Sequence, residues 1–241
     1  MSDHQYRGPA VTYVTDEDLD RDSHQRVLSE FISCAAVHPI RVALRLPRWS
    51  DTEFRRLLEW YLEQAEILPA TSSLERALVH DRPEVTNLFP QVSLWLPWRN
   101  RDLVRESDIG NVTISIHSVE DAHEAIAAGA SELVFGHVFT SESHPGEPGR
   151  GIVALQEVAE AIQGYEHPPR LTAIGGVDER TIPEIGRIRH QRIAAMRSIS
   201  RSDDIARTLD HIRTNWVAAR INADLDEGQS SPLGNPSSLF F

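Results

Sequence analysis

Short runs of aliphatic and β-branched residues alternate along the chain with longer segments whose apolar residues recur every three or four positions. A period near two marks a half-buried strand, and a period near 3.6 marks an amphipathic helix. Residues 11–15 read as a first strand, and residues 26–35 lie in the helix after it. Residues 40–44 form a second strand. The next helix starts at Ser50 or Asp51 and sets Phe54, Leu57, Leu58, Tyr61 and Leu62 on one face. Residues 77–79 and 91–96 are further strands, with a brief helical stretch around residues 83–88 between them. Residues 111–116 are a strong strand, followed by a helix that Ser118 caps and Gly129 ends. Strands at residues 132–135, 170–174 and 192–196 complete the pattern, with helices expected over residues 152–162, 178–188 and 202–221.

About eight strand–helix pairs in 241 residues predict an α/β fold, a single (β/α)8 TIM barrel. A doubly wound open sheet is the alternative, and the lack of a GxGxxG after the first strand counts against it. The expected organisation is an N-terminal extension at residues 1–10, the barrel at 11–221 and a disordered tail at 222–241, which is polar and carries Pro232 and Pro236. The loop over residues 136–151 is rich in Gly, Pro and Ser. Its length points to function or disorder.

Composition narrows the function classes. The net charge of −12 argues against a nucleic-acid binder and against docking on an anionic membrane. An anionic ligand must therefore be held by a few local donors. The sequence has no lysine, so Schiff-base chemistry and a lysine clamp on phosphate are both excluded. The single cysteine, Cys34, allows no disulfide within one chain, and is expected to be a small buried hydrophobe. The polar start lacks the apolar core of a signal peptide, and no stretch of 18 apolar residues occurs, so a cytoplasmic protein is expected.

Catalytic groups of such barrels lie just past the C-terminal ends of the strands. Those positions here read Arg45, His80-Asp81, Trp95-Leu96-Pro97, His117-Ser118, Gly136-His137, Gly175-Gly176 and Arg197-Ser198. Gly175 and Gly176 precede a helix expected to start at Asp178. Glycines let backbone amides approach an anion, and barrels often bind phosphate between the loops after strands seven and eight. A tight turn needing glycine is the plainer reading. Arg45 reads equally as a carboxylate clamp or as a surface ion pair. Asp81 and Arg82 read as an internal ion pair. His117, His137 and His144 could form a metal site, but no helical His-x-x-x-His supports one.

Taken together, several segments resemble the thiamine phosphate synthase/TenI family. They are Ser115-Ile116-His117-Ser118, Phe135-Gly136-His137-Val138-Phe139-Thr140, the Pro145 to Gly151 stretch, Ala173-Ile174-Gly175-Gly176-Val177 and Ala195-Met196. Tyr13 to Asp16, Leu44-Arg45 and His80-Asp81-Arg82 are similar to its earlier strands. The resemblance spans residues 11–215 and is strongest over 111–177. It implies a thiamine phosphate synthase-like barrel. It also implies a role in thiamine biosynthesis or salvage on a small phosphorylated thiazole-type ligand, with a homo-oligomer possible.

The family's synthases use Mg²⁺, an aspartate after the fourth strand and lysines that this chain lacks. Its TenI-like thiazole tautomerases carry Phe-Gly-His-Val-Phe after the sixth strand, as residues 135–139 do. That likeness implies a tautomerase (an isomerase) acting on a carboxythiazole phosphate, with His137 as acid and base and neither cofactor nor metal. By the same likeness Arg45, His117, Ser118, His144 and Gly146 bind substrate, while Gly175, Gly176, Val177, Arg197 and Ser198 bind its phosphate. Arg197-Ser198 replaces a small pair, so Arg197 either adds a phosphate donor or fills the pocket. The alternatives are a thiamine phosphate synthase, a transferase, and a non-catalytic phosphate-ligand sensor or regulatory protein on the same barrel.

Overall fold

The computed structural model describes residues 8–69, 71–106, 111–143, 145–189 and 192–230. Eight parallel strands close into one barrel in chain order: β1 (Ala10–Val14), β2 (Ile40–Leu44), β3 (Leu78–His80), β4 (Ser93–Leu96), β5 (Val112–Ile116), β6 (Glu132–Phe135), β7 (Arg170–Ile174) and β8 (Arg192–Ala195). Closure is made by β8 pairing with β1, from Ala10 opposite Arg192 to Tyr13 opposite Ala195. The helices are α1 (Arg21–Ser33), α2 (Asp51–Glu66), α3 (Pro83–Leu88), α4 (Leu103–Glu106), α5 (Val119–Ala128), α6 (Gly151–Gln163), α7 (Ile182–Ile185), α8 (Arg197–Ser200) and α9 (Ile205–Ser230).

Alternation along each strand divides two cores. Val11 and Tyr13 of β1 belong to the large apolar layer between sheet and helices, with Leu28, Phe31, Val42 and Leu44. Val14 instead points into the barrel with Ala43, Leu78, Trp95, Val134 and Ala194. Each buried Leu or Phe contributes about 1.5–3 kcal/mol relative to exposure. Below that inner apolar layer the barrel is polar. Arg41 donates to both carboxylate oxygens of Glu132, at 2.7 and 2.5 Å, and to Thr12 Oγ1 at 3.2 Å. Thr172 Oγ1 donates to Glu132 Oε1 at 2.7 Å. Burial pushes the Glu132 carboxyl up, but the hydrogen bonds and charge of Arg41, helped by Thr172 and Arg192, outweigh it and hold it below its ordinary value.

Local signals set most element ends. Ser50 Oγ accepts from the Glu53 amide at 3.3 Å, and Glu53 Oε2 accepts from the Ser50 amide at 3.1 Å, a reciprocal cap worth about 1 kcal/mol. Gly129, with φ 101°, ends α5 in the left-handed region as expected.

Three expectations are corrected. The helix expected over residues 178–188 is only α7, because Asp178 turns back on itself: its Oδ1 accepts from the amides of Arg180 (2.9 Å) and Thr181 (3.1 Å). The last helix does not stop at residue 221. It continues to Ser230, so residues 222–230 of the expected disordered tail are helical, and residues 231–241 lie outside the described ones. No proline interrupts residues 205–230, and the polar residues that suggested disorder are compatible with an exposed helix. Finally, Asp81 and Arg82 do not pair with each other. Arg82 binds Asp51 and the carbonyls of Leu46 (3.1 Å) and Trp49 (2.7 Å), while Asp81 turns to Arg99 and Asn100.

Candidate functional site

A cavity of about 740 Å³ opens where the C-terminal ends of the strands converge. Arg45, His117, His137, Gly175, Gly176, Val177, Arg197 and Ser198 all line it, together with His80, Trp95, Trp98, Glu142 and Arg150. Ser118 does not. Its hydroxyl caps α5 by accepting from the Asp121 amide at 3.1 Å. Gly146 lies in the exposed part of the β6–α6 loop, away from the lining, and His144 falls outside the described residues. A second groove of about 530 Å³ lies on the outer surface beside α6 and α7, remote from the strand ends.

The loops after β7 and β8 form one end of the cavity. Ser198 Oγ donates to Val177 O at 2.9 Å, tying the two loops together. Among the described residues the amides of Gly176, Val177, Arg197 and Ser198 have no protein acceptor. Such a cluster of donors suits an anion. The glycines also have a packing cause. A Cβ on Gly175 would lie 2.3 Å from His137 Cβ, and one on Gly176 would lie 2.6 Å from Phe139 Cβ. Thus Gly175 and Gly176 let the β6 loop lie directly on the β7 loop, an arrangement fixed by the Val138 amide on Ile174 O (2.8 Å) and the Phe139 amide on Gly175 O (3.0 Å).

The two histidines flank the Gly136–His137 peptide. His117 Nδ1 lies 2.8 Å from Gly136 O, which also accepts from Arg150 Nε at 2.9 Å. His137 is buried, with Nε2 at 3.1 Å from Pro148 O. The β6–α6 loop is stitched at both ends. The Arg150 amide donates to His137 O and the Gly151 amide to Val138 O, each at 2.9 Å, so the carbonyl of Pro148 is delivered to His137. Arg150 and His80 were not among the expected site residues. Arg150 stood within the Pro145 to Gly151 stretch of the resemblance, and His80 stood at a strand end.

Arg197 reaches the cavity lip but is held by acids from two other loops. Its Nη2 lies 3.5 Å from Asp18 Oδ2, its Nε lies 3.5 Å from Glu142 Oε2 and 4.0 Å from the buried Asp16 Oδ2, and its Nη1 donates to Ser143 Oγ at 2.9 Å. Arg45 is in the opposite condition. Its backbone is fixed by Thr15, whose Oγ1 accepts from the Arg45 amide at 2.8 Å, yet among the described residues its guanidinium meets no carboxylate. A half-buried guanidinium without a partner on a cavity wall is suited to an anionic ligand group.

The wall next to Arg45 is aromatic. His80 packs edge-on against Trp95 with ring centroids 4.7 Å apart, and the Trp95 indole donates to Ser115 Oγ at 2.9 Å. Burial, then the charges of Arg45 and Arg99, push His80 down to about 3. The residues here do not fit the divalent cation that the likeness to the synthases implies. Hard cations need several oxygen ligands. The Asp81 carboxylate, set on a backbone with φ 57°, is instead covered by the Arg99 guanidinium and by Asn100 Nδ2 at 2.6 Å. No cluster of three or more His, Cys, Asp or Glu residues suited to a metal occurs among the described residues.

Residues 96–199 match the family model described as thiamine monophosphate synthase. That stretch runs from the end of β4 through α8 and carries both histidines and the amide cluster. A thiamine-phosphate synthase of Gloeobacter violaceus is 32% identical over 108 residues, 45% of this chain, and the chain matches only 29% of that relative's length. Thiamine phosphate pyrophosphorylase from Pyrococcus furiosus superposes with a TM-score of 0.64 at 18% identity, covering 87% of this chain and 96% of that one. The enzyme of the same description from Bacteroides thetaiotaomicron gives 0.55 at 16% identity, over 90% and 98%. At those identities the two structures speak for the barrel alone, while the sequence match falls on the histidines and the β7 and β8 loops. Residues 96–199 are thus similar to the thiamine monophosphate synthase family, and that match covers less than half of the chain.

Proposed function

We propose that this chain is a metal-independent tautomerase acting on a phosphorylated thiazole. The carrying observation is that two imidazoles, His117 and His137, share one cavity with the four unpartnered amides of the β7 and β8 loops. The amides take the phosphate, Arg45 takes a carboxylate on the ring, and the imidazoles lie on the arc between them. Aromatising a tautomer needs one proton removed from carbon and one returned elsewhere on the conjugated system. Imidazole can do both near neutral pH, and positioned acid–base groups contribute about 10²–10⁴-fold.

The synthase reading is favoured by the name of the Gloeobacter relative. Against it stand the absence of lysine and the guanidinium over Asp81. NMR of the thiazole tautomer in D₂O, with and without a chelator, separates the two. Conversion that survives chelation supports the tautomerase. Joining of a pyrimidine diphosphate to a thiazole phosphate only with Mg²⁺ present would install the synthase instead. His137→Asn should lower conversion within the range above while binding of inorganic phosphate changes little. Tight binding without conversion by the wild type would favour a sensor.

A further inference from the structure

The tautomerase reading, on which this inference rests, gives both proton transfers to His137 by likeness. The hydrogen bonds bring a second imidazole, His117, to the same task. A carbonyl oxygen only accepts, so the 2.8 Å contact from His117 Nδ1 to Gly136 O places the hydrogen on Nδ1. Neutral His117 then carries its lone pair on Nε2. That atom has no protein partner among the described residues, and the ring lines the cavity. His137 also donates to a carbonyl, through Nε2 to Pro148 O at 3.1 Å, so Nδ1 is the atom left to exchange a proton with a ligand.

We propose that His117 is a catalytic residue, with Nε2 the base that removes the ring proton, and that His137 is the acid that returns one. The C–H bond of the non-aromatic ring breaks and its proton moves to His117 Nε2. The electron pair enters the conjugated system, which becomes aromatic, and the far carbon takes the Nδ1 proton of the His137 imidazolium, which is left neutral with Nε2–H still on Pro148 O. One proton leaves and one arrives, with no change of oxidation state, and solvent restores both rings. The Gly136 carbonyl anchors this division. It receives His117 on one side and Arg150 Nε at 2.9 Å on the other, and the peptide it belongs to leads into His137, so the two rings are set by the same backbone unit.

The experiment uses the full chain, the thiazole tautomer and inorganic phosphate. His117→Asn places an amide N–H near the position of Nδ1, so the bond to Gly136 O is kept while the base is lost. His117→Gln serves as a second variant, and circular dichroism and the melting shift with phosphate check folding. Long-range ¹⁵N–¹H spectra of the wild type should show His117 Nε2 bare and His137 Nε2 protonated. In D₂O, His137→Asn should keep exchange of the ring proton while losing conversion. His117→Asn should lose both by about 10²–10⁴-fold. A hydrogen on His117 Nε2, or wild-type exchange in folded His117→Asn and His117→Gln, overturns the assignment and leaves the tautomerase reading standing. A wild type that neither exchanges nor converts overturns both.

Discussion

Replacing Glu132 tests whether the polar floor of the barrel holds the strands beneath the site. Its carboxylate accepts two hydrogen bonds from Arg41 and one from Thr172 Oγ1, and the Arg41 and Glu132 side chains are 4% and 1% exposed. Glu132→Ala leaves the guanidinium buried without its counter-charge, which costs about 3–5 kcal/mol. The orphaned Thr172 hydroxyl adds about 1 kcal/mol. The sum approaches the whole stability of an ordinary domain, about 5–15 kcal/mol, so the variant should unfold at much lower denaturant. Glu132→Gln should lose less, because its amide oxygen still accepts one bond. The double variant Arg41→Met/Glu132→Leu should return to within about 2 kcal/mol of the wild type, since a buried ion pair gains little over apolar residues of similar volume. Guanidinium unfolding followed by circular dichroism measures all four proteins. A loss below about 1 kcal/mol in Glu132→Ala, or a double variant as unstable as the single one, would refute the reasoning.

Three further outcomes are expected. His80, pushed down to about 3, should keep a constant C2 proton shift from pH 8 to 4. Its contribution to stability should be complete above the unfolded value of about 6.5 and decline as pH falls from there toward 3, whereas the Glu132 contribution should hold down to about 4.5 and be lost only as pH falls from there through that group's lowered value. Arg45→Met should weaken a carboxylated thiazole phosphate by roughly 10–100-fold in calorimetry while barely changing its decarboxylated analogue; equal losses would remove the carboxylate clamp. Arg197→Ala should weaken inorganic phosphate by about tenfold, because the cluster loses a cation and the buried Asp16 loses its arginine, while Asp18 and Glu142 keep Arg48 and Arg201; tighter binding would identify Arg197 as a plug.

The barrel was legible because its strands are short, β-branched and evenly spaced, and because polar residues gather at their C-terminal ends. Arg45, His117, His137 and the glycines could therefore be named before any contact was known. Their partners could not. The pairing of Arg41 with Glu132 joins residues 91 apart in sequence, and that of Arg197 with Asp18 joins residues 179 apart. Local pattern carries no such information. One signal was nevertheless present. Arg41, Glu132 and Arg192 occupy the first or second positions of otherwise apolar strands. Charges at barrel-facing positions must find counter-charges across the lumen. The helix at Asp178 failed for a different reason: an aspartate that caps a helix also closes a turn, and Asp178 does the latter.

The family match begins at residue 96 and so divides the cavity into two arcs. On the matched arc lie both histidines and the amides of the β7 and β8 loops, which are the groups that the proposed chemistry needs for a phosphate and a moving proton. Arg45, His80 and Trp95 come from the other arc, with Trp98 and Arg99 just past the boundary. There Arg99 is neutralised by Asp81, and His80 is held uncharged, which leaves Arg45 as the cation able to meet a ligand beside two indole rings. A ligand that satisfies both arcs carries phosphate at one end, a flat ring between, and an anionic group at the other. Its selectivity then rests on whether Arg45 has a charge to meet. A thiazole phosphate lacking the carboxylate would leave that guanidinium half-buried and unpaired, so the cavity would discriminate against it by leaving a charge unmet rather than by excluding its shape.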